Sequence, residues 1–575
     1  MSGRKQRRPR GPPMRRRSKT LAATLAFAIA AGLVSPAVSQ QVASAPLSQV
    51  DPWGVGWLAA ADGAIPTAFW SNTTGDALAP IFTSIQPKDL SPAARALLRR
   101  IVLSRAKAPA DSATLTPERV RLMELLGEAA HAADLRKRYA ETDWGKSGER
   151  LGVEIDLVNG KKDACSRTAG KPAADRSWMP VRALCATLNG DINAANLALE
   201  QIAATDEAFG VWLMAATGAM TAPDAKKPEG RYASAFEAAV SVAAKLSVPA
   251  NAMAAAPADA AAAIVLNPDA TLEQKRAALR PALDGGRIKS SDVLAVLTAK
   301  DETPSVKPAS TRGAPTRPDL LAAALASFAT ADAKPDARAK AYSDALRSAE
   351  TSSDARLAAF ALADPIKALP KNELTAPQAE TFARAALFAG DAKQAADWRM
   401  LMATLPAEVA DAWASARIDL LLSYAGATNE KPGAILDRLI AAAPAPAPTE
   451  AGKPTPRSAT PVDKQLDLRR IENARALFLY AGTGRDLSPA QRALLATQRT
   501  AGRGVSDAAI ARIVSAADQD ADGEAALAII AQIGADPSAV SFAGLSDLLA
   551  QLRRIGLEKD ADALALEALQ VWKAL

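Results

Sequence analysis

The chain has one histidine, His131, and two cysteines, Cys165 and Cys185, among 575 residues. A single histidine excludes clustered imidazole metal sites and leaves a Ser-His-Asp or Cys-His system one candidate base. There is no GxxxxGK[ST] phosphate loop, and "AGTGRD", residues 481 to 486, lacks the rest of any nucleotide fingerprint. Aromatic residues make up only 4% of the chain, whereas alanine is abundant throughout. That balance favours helices packed closely through small side chains over sheets filled by large ones, so the fold class expected is all-α.

The apolar run near the N-terminus is short. "LAATLAFAIAAGLV", residues 21 to 34, would rise about 21 Å as a helix, against a hydrocarbon core of about 30 Å. Ahead of it residues 1 to 19 carry nine Lys or Arg and no acid, and after it comes "SPAVSQ" with small residues at Ala37 and Ser39. This pattern predicts a cleaved general-export signal over 1–39, cut between Ser39 and Gln40, and hence a periplasmic protein with no stable membrane span after cleavage. An uncleaved anchor is the alternative, and a start at Met14 would give a tighter signal. The formal charge of the whole chain is +7. Removing the signal leaves about −2, so nothing in the mature charge implies nucleic acid or an anionic membrane surface as partner.

Two proline-rich stretches interrupt the helical pattern, "DETPSVKPASTRGAPTRP" at 301 to 318 and "APAPAPTEAGKPTPRSATP" at 443 to 461. Neither continues a helix. They divide the mature chain into an N-terminal helical-hairpin region at 40–300, a linker at 301–318, a middle helical region at 319–441, a Pro/Ala-rich linker at 442–463 and a C-terminal helical region at 464–575. The alternative is that both are long surface loops of one superhelix.

Within these regions one arrangement recurs. "TAPQAETFARAALFA" has helical apolar spacing with Thr375 as cap, Gly390 follows, and a new apolar register starts after Asp391. Glycine inside a helix costs roughly 1 kcal/mol relative to Ala but is favoured just past a helix end, so two helices meeting at a turn are expected. Gly127, Gly190 and Gly556 sit in the same pattern, and in all four segments an alanine falls five residues after the glycine: Ala132, Ala195, Ala395 and Ala561. This resembles the turn of tetratricopeptide-like repeats, and the resemblance implies a hairpin architecture: an irregular α-solenoid in two or three blocks. The first-helix Trp and Tyr of that family are missing. A second echo pairs "LSPAARALL", residues 90 to 98, with "LSPAQRALL", residues 487 to 495; both read as capped helix starts, with Ser91 or Ser488 as cap.

Candidate sites are few. His131 reads as a surface residue early in a second helix. "DQDADGEAALAI", residues 518 to 529, begins like a calcium loop but ends in Ile529 where a glutamate is required. "SRAK", residues 104 to 107, has Ser-x-x-Lys spacing without companion motifs. The acids Glu141, Asp143, Glu149, Glu154 and Asp156 in "ETDWGKSGERLGVEIDL" are the candidates for paired carboxylate chemistry. No catalytic, cofactor-binding or metal residue is assigned. Trp53, Trp57 and Trp70, packed into twenty residues, read either as a cap on the first hairpin or as a partner-binding patch. In an oxidising compartment Cys165 and Cys185 are expected to bridge, which would stabilise by roughly 3 kcal/mol for a loop of about 20 residues.

The function these readings lead to is an exported helical-repeat scaffold or adaptor in an envelope assembly, with other envelope proteins as partners. The alternatives are a carboxylate-dependent glycan hydrolase of the envelope and a ligand-binding superhelix.

Overall fold

The structure is a computed structural model that describes residues 51–570, except 139–147, 170, 172–174, 223, 250–251, 300–320, 322–323, 326–333, 350–351, 372–373, 405–410, 444–460 and 499–501. The expected signal with its expected cut between Ser39 and Gln40, the stretch 301–318 and nearly all of 443–461 lie outside the described residues, as do Glu141 and Asp143. Among the described residues every regular element is a helix, and the only β-type pairings are two isolated bridges, Thr74 with Ala110 and Arg503 with Val540. The fold is all-α.

Gly390 separates helices Ala376–Phe388 and Ala392–Thr404. Its φ of +81° is the left-handed conformation that glycine adopts without a Cβ penalty. The Asp391 amide reaches back to the Ala386 carbonyl at 2.8 Å and the Gly390 amide to that of Leu387 at 3.0 Å, closing the first helix with the six-to-one bond of a Schellman cap. Asp391 then accepts from the Gln394 amide at 2.9 Å and starts the second helix.

Gly127, Gly190 and Gly556 repeat this turn, with φ of +82°, +77° and +78° and six-to-one bonds from Glu128, Asp191 and Leu557. The alanines five residues on are all buried. In each pair the second helix packs on the first. The same six-to-one bond also forms at Gly160, Gly286, Gly426 and Gly484, and at Lys245 and Asp520, non-glycine residues held at φ of +50° and +55°. Ser91 accepts from the Ala94 amide at 3.3 Å, and Ser488 forms a full capping box with Gln491, with bonds of 3.2 and 2.9 Å. Both helix starts therefore use one device.

A small cluster of Ala516, Ala517, Ala521 and Ala525 packs on Ile555, and among the described residues the large hydrophobic core cluster runs from Trp53 to Leu569. Near its middle lies helix Ala258–Leu266, seven of whose residues are buried and four of those alanine in an unbroken run. It packs against Leu115–Leu125, Gly148–Val158, Ala235–Ala243, Leu272–Asp284 and Ser290–Thr298, and small side chains let so many helices approach one element.

The early and late parts of the chain also meet. Helix Pro92–Leu103 packs on Glu558–Leu569 and Gly75–Ser84 on Asp522–Ile533. Arg100 pairs with Asp560 at 2.6 Å, the Ala93 amide donates to Glu567 at 2.9 Å and the Ser91 amide to the Gly534 carbonyl at 2.7 Å. Residues Asp51–Leu575 form one compact unit.

Candidate functional site

Trp53, Trp57 and Trp70 lie in different environments. Trp53 and Trp70 are buried, with ring centroids 5.5 Å apart, and Phe69 and Phe82 complete an edge-to-face cluster. Buried Arg119 secures it, donating to the carbonyls of Pro52, Val55 and Val102 at 2.9 Å each, with its guanidinium 5.2 Å from the Trp53 ring. Burial removes Trp53 and Trp70 from any docking surface. Only Trp57 stays half-exposed, donating from Nε1 to Asp134 at 3.2 Å with its ring 5.0 Å from His131.

Trp70 also accounts for the calcium-loop lookalike. A Cβ on Gly523 would meet the Trp70 ring at 2.2 Å, and the Gly523 amide donates to the Phe69 carbonyl at 2.8 Å. The glycine is where the N-terminal cluster seats on a later helix, while Asp518 pairs with Arg554. No group of His, Cys, Asp and Glu suited to a metal ion occurs among the described residues. In "SRAK" the helix ends at Leu103, and buried Ser104 donates to the Arg100 carbonyl at 2.7 Å and accepts from the Ile65 amide at 2.9 Å. Ser104 and Lys107 thus share no helical turn.

Polar chemistry gathers around the Gly127 hairpin, Leu115–Leu125 with Ala129–Arg138. Glu128, directly after the turn glycine, has a side chain only 1% exposed. It receives Arg99 at 2.5 Å, His131 Nδ1 at 2.7 Å and Arg287 at 2.9 Å. Burial pushes the Glu128 carboxyl up, but the Arg99 hydrogen bond and the Arg287 charge outweigh it and hold the group below the usual glutamate range. Arg287 reaches Asp259 at 3.1 Å, and Asp259 caps the second helix by accepting from the Ala129 amide at 2.7 Å. The single histidine is therefore one arm of an ion-pair network.

On the other side of the same turn, Glu124 and Glu154 line a cavity of about 540 Å³ with Arg121, Arg136, Arg150 and Lys88. Arg136 pairs with Glu124 at 2.5 Å; Arg150 pairs with Glu154 at 2.9 Å and donates to the Ser177 carbonyl at 2.5 Å. Desolvation pushes Glu124 up, and Glu154 up to about 7, because the arginine charges only partly offset burial, and the Glu124 charge further disfavours ionisation of Glu154.

Of the described sequence acids, Glu149, Glu154 and Asp156, only Glu154 lines this cavity. Glu149 pairs with Lys171, and Asp156 with Lys161 and Arg167. The sequence reading missed Glu124, Glu128, Arg136, Arg150 and Arg287. The i,i+4 spacing of Arg150 and Glu154 was a readable signal; the pairing of Arg287 with Glu128 crosses most of the N-terminal region and carries none.

Cys165, in the turn of 3₁₀ helix at Lys162–Thr168, and Cys185, in Met179–Leu188, are joined with Cα atoms 5.5 Å apart. No described helix is long and apolar enough to cross a membrane. No protein-family model, curated protein or solved structure matches the chain.

Proposed function

We propose that the mature chain is an irregular α-solenoid of helical hairpins, exported to the periplasm, that serves as a scaffold or adaptor by holding other envelope proteins. The observation that carries this reading is the outward surface of hairpin Ile192–Ala203 and Glu207–Thr221. Leu197 is 60% exposed, Val211 54%, Ile192 44% and Met214 37%. The second helix carries one charged residue, Glu207, in its first turn. Several exposed large apolar side chains on two consecutive helices with little charge suit a protein-binding face. The spacing of the turns lends further support: Gly127, Gly160 and Gly190 follow at 33 and 30 residues, and Gly484, Asp520 and Gly556 at 36 and 36. Units of that length suit a stacked array.

The glycan-hydrolase reading would rest on Glu124 and Glu154. Such an enzyme needs one carboxyl as acid and the other ionised as base or nucleophile. Here burial pushes both upward, so the environment does not divide the two roles.

The test is the double variant Leu197→Glu with Val211→Glu. Both sites are exposed, so unfolding should move by no more than about 0.5 kcal/mol, while crosslinking in envelope preparations should lose proteins that the wild type recovers. Recovery of the same proteins in the same yield would overturn the reading. So would a Glu154→Gln variant that abolishes function in cells while folding and recovery stay intact.

A further inference from the structure

We propose that the cavity between the Gly127 hairpin and helix Gly148–Val158 binds a short aliphatic dicarboxylate, whose two carboxylates take the places that Glu124 and Glu154 hold on Arg136 and Arg150. This goes beyond the partner-holding reading and concerns a different surface, so either stands if the other fails.

The volume, about 540 Å³, falls within the range of roughly 300–1,000 Å³ usual for small-molecule sites. A second space of about 230 Å³ shares its Pro87, Lys88, Leu125 and Ala256 walls. Two of the larger cavity's arginines are also tied to backbone carbonyls. Arg150 is anchored on the Ser177 carbonyl, and Arg121 on that of Phe82 at 2.7 Å and on Glu118 at 2.7 Å. Fixed guanidinium forks match carboxylate geometry and lose little freedom on binding.

Two of the forks already carry carboxylates, at 2.5 and 2.9 Å. These come from the protein itself and occupy two separate points of one cavity, which is the pattern a dicarboxylate would present. Leu125, Leu151, Ala235 and Pro257 also line the cavity and offer a short hydrocarbon chain an apolar wall.

Exchange requires that the displaced glutamates lose their charge. The charged groups facing Glu154 are Arg150 on its own helix, Glu124 and Arg121 on Leu115–Leu125, Arg136 on Ala129–Arg138, and Lys88 across the cavity. Burial already favours the neutral form of both glutamates, so each proton taken up converts an internal counter-ion into a neutral wall and leaves a guanidinium to the ligand. No covalent bond changes.

The experiment is calorimetric titration of the full chain with succinate and glutarate at constant ionic strength and pH 6.5. Inorganic phosphate and 1,4-butanediol serve as comparison probes. Saturable one-to-one binding of one of the diacids is expected, with net proton uptake when buffers of different ionisation enthalpy are compared. Arg136→Gln and Arg150→Gln should each weaken it by about tenfold, the loss of one charge-assisted contact; Leu197→Glu, outside the cavity, should leave it unchanged. Should an arginine variant fail to fold, Glu154→Gln decides, because it frees Arg150 and should tighten binding several-fold at pH 8. No saturable heat with either diacid, binding indifferent to the arginines, or no change in Glu154→Gln would overturn the proposal. Phosphate or butanediol binding as tightly as the diacids would overturn the dicarboxylate assignment.

Discussion

The hairpins at Gly127 and Gly390 are built on the same turn and filled differently. Both glycines lie near φ +81°, and both turns close with the same two amide bonds. Three residues before the glycine stands Glu124 in one and Leu387 in the other; directly after it stands Glu128 in one and Asp391 in the other. At Gly390 these residues do local work. Leu387 joins the core, and Asp391 caps its own helix. At Gly127 the same two offsets carry the cavity carboxylate and the buried hub of the ion-pair network, and the capping of the second helix passes to Asp259, from a distant element. The turn fixes the path of the chain, whereas the residues around it set the chemistry, and a helical repeat can hold one and vary the other.

The comparison breaks first at the glycines themselves. A left-handed backbone costs a non-glycine residue about 1–2 kcal/mol, which should be the whole effect of Gly390→Ala, since a Cβ there meets nothing within 4 Å. At Gly127 a Cβ would lie 2.8 Å from that of Ala258. Overpacking of this kind adds about 1–3 kcal/mol, so Gly127→Ala should cost about 2–5 kcal/mol in urea titrations. Equal costs would show that helix Ala258–Leu266 yields, and that Gly127 is no more tightly packed than Gly390.

How much of this was legible beforehand follows from the range of the interactions. A helix stop is local: glycine, the cap after it and the alanine five residues on fall within ten residues, and the Gly127, Gly190, Gly390 and Gly556 turns were readable for that reason. The turns at Lys245 and Asp520 were not, because no glycine marks them. The spacing of Cys165 and Cys185 and the burial of Cys185 were local as well. Trp53, Trp57 and Trp70 look alike in sequence, and only the position of Arg119 and Gly523 decides which two are covered. The cavity was the least legible feature, because Glu124, Arg136, Arg150 and Glu154 come from three helices and meet only through the packing of those helices. Glu154 stood out no more than Glu149 or Asp156, whose side chains turn to solvent-side partners.

The residue after the glycine gives the next contrast. Removing one member of a buried ion pair costs about 3–5 kcal/mol when both partners are covered. Arg99 and Arg287 keep 41% and 33% of their side-chain surface, so Glu128→Ala should cost about 2–4 kcal/mol after allowance for solvent screening. Asp391→Ala removes a cap and should cost about 1 kcal/mol. Thermal unfolding of the two variants at low and high salt separates the causes, since the Glu128 loss should shrink with salt and the Asp391 loss should not. A Glu128 variant no weaker than the Asp391 one would mean that the network contributes no more than an ordinary helix cap.

The cavity beside the Gly127 hairpin gives a further contrast, one that pH controls near neutrality. Leu387 does not titrate, whereas the cavity at the Gly127 hairpin holds Glu154, raised from 4.5 to about 7. A folded-state pKa above the unfolded value means that the folded chain binds the proton more tightly. The associated stability is fully present below about pH 4.5 and is lost as pH rises through about 7. With about 1.4 kcal/mol per unit and some relaxation of the cavity, the loss should be about 2–3 kcal/mol. Wild-type stability in urea, followed from pH 4.5 to 8, should therefore carry a decline that Glu154→Gln lacks, the two curves diverging most steeply near pH 7. Carboxylates held low elsewhere, such as Glu128 and Asp156, gain stability with pH over the acidic range and have finished doing so before this decline ends. Parallel curves for wild type and Glu154→Gln across this range would mean that Arg150 keeps Glu154 ionised throughout, and that both hairpins are indifferent to pH near neutrality.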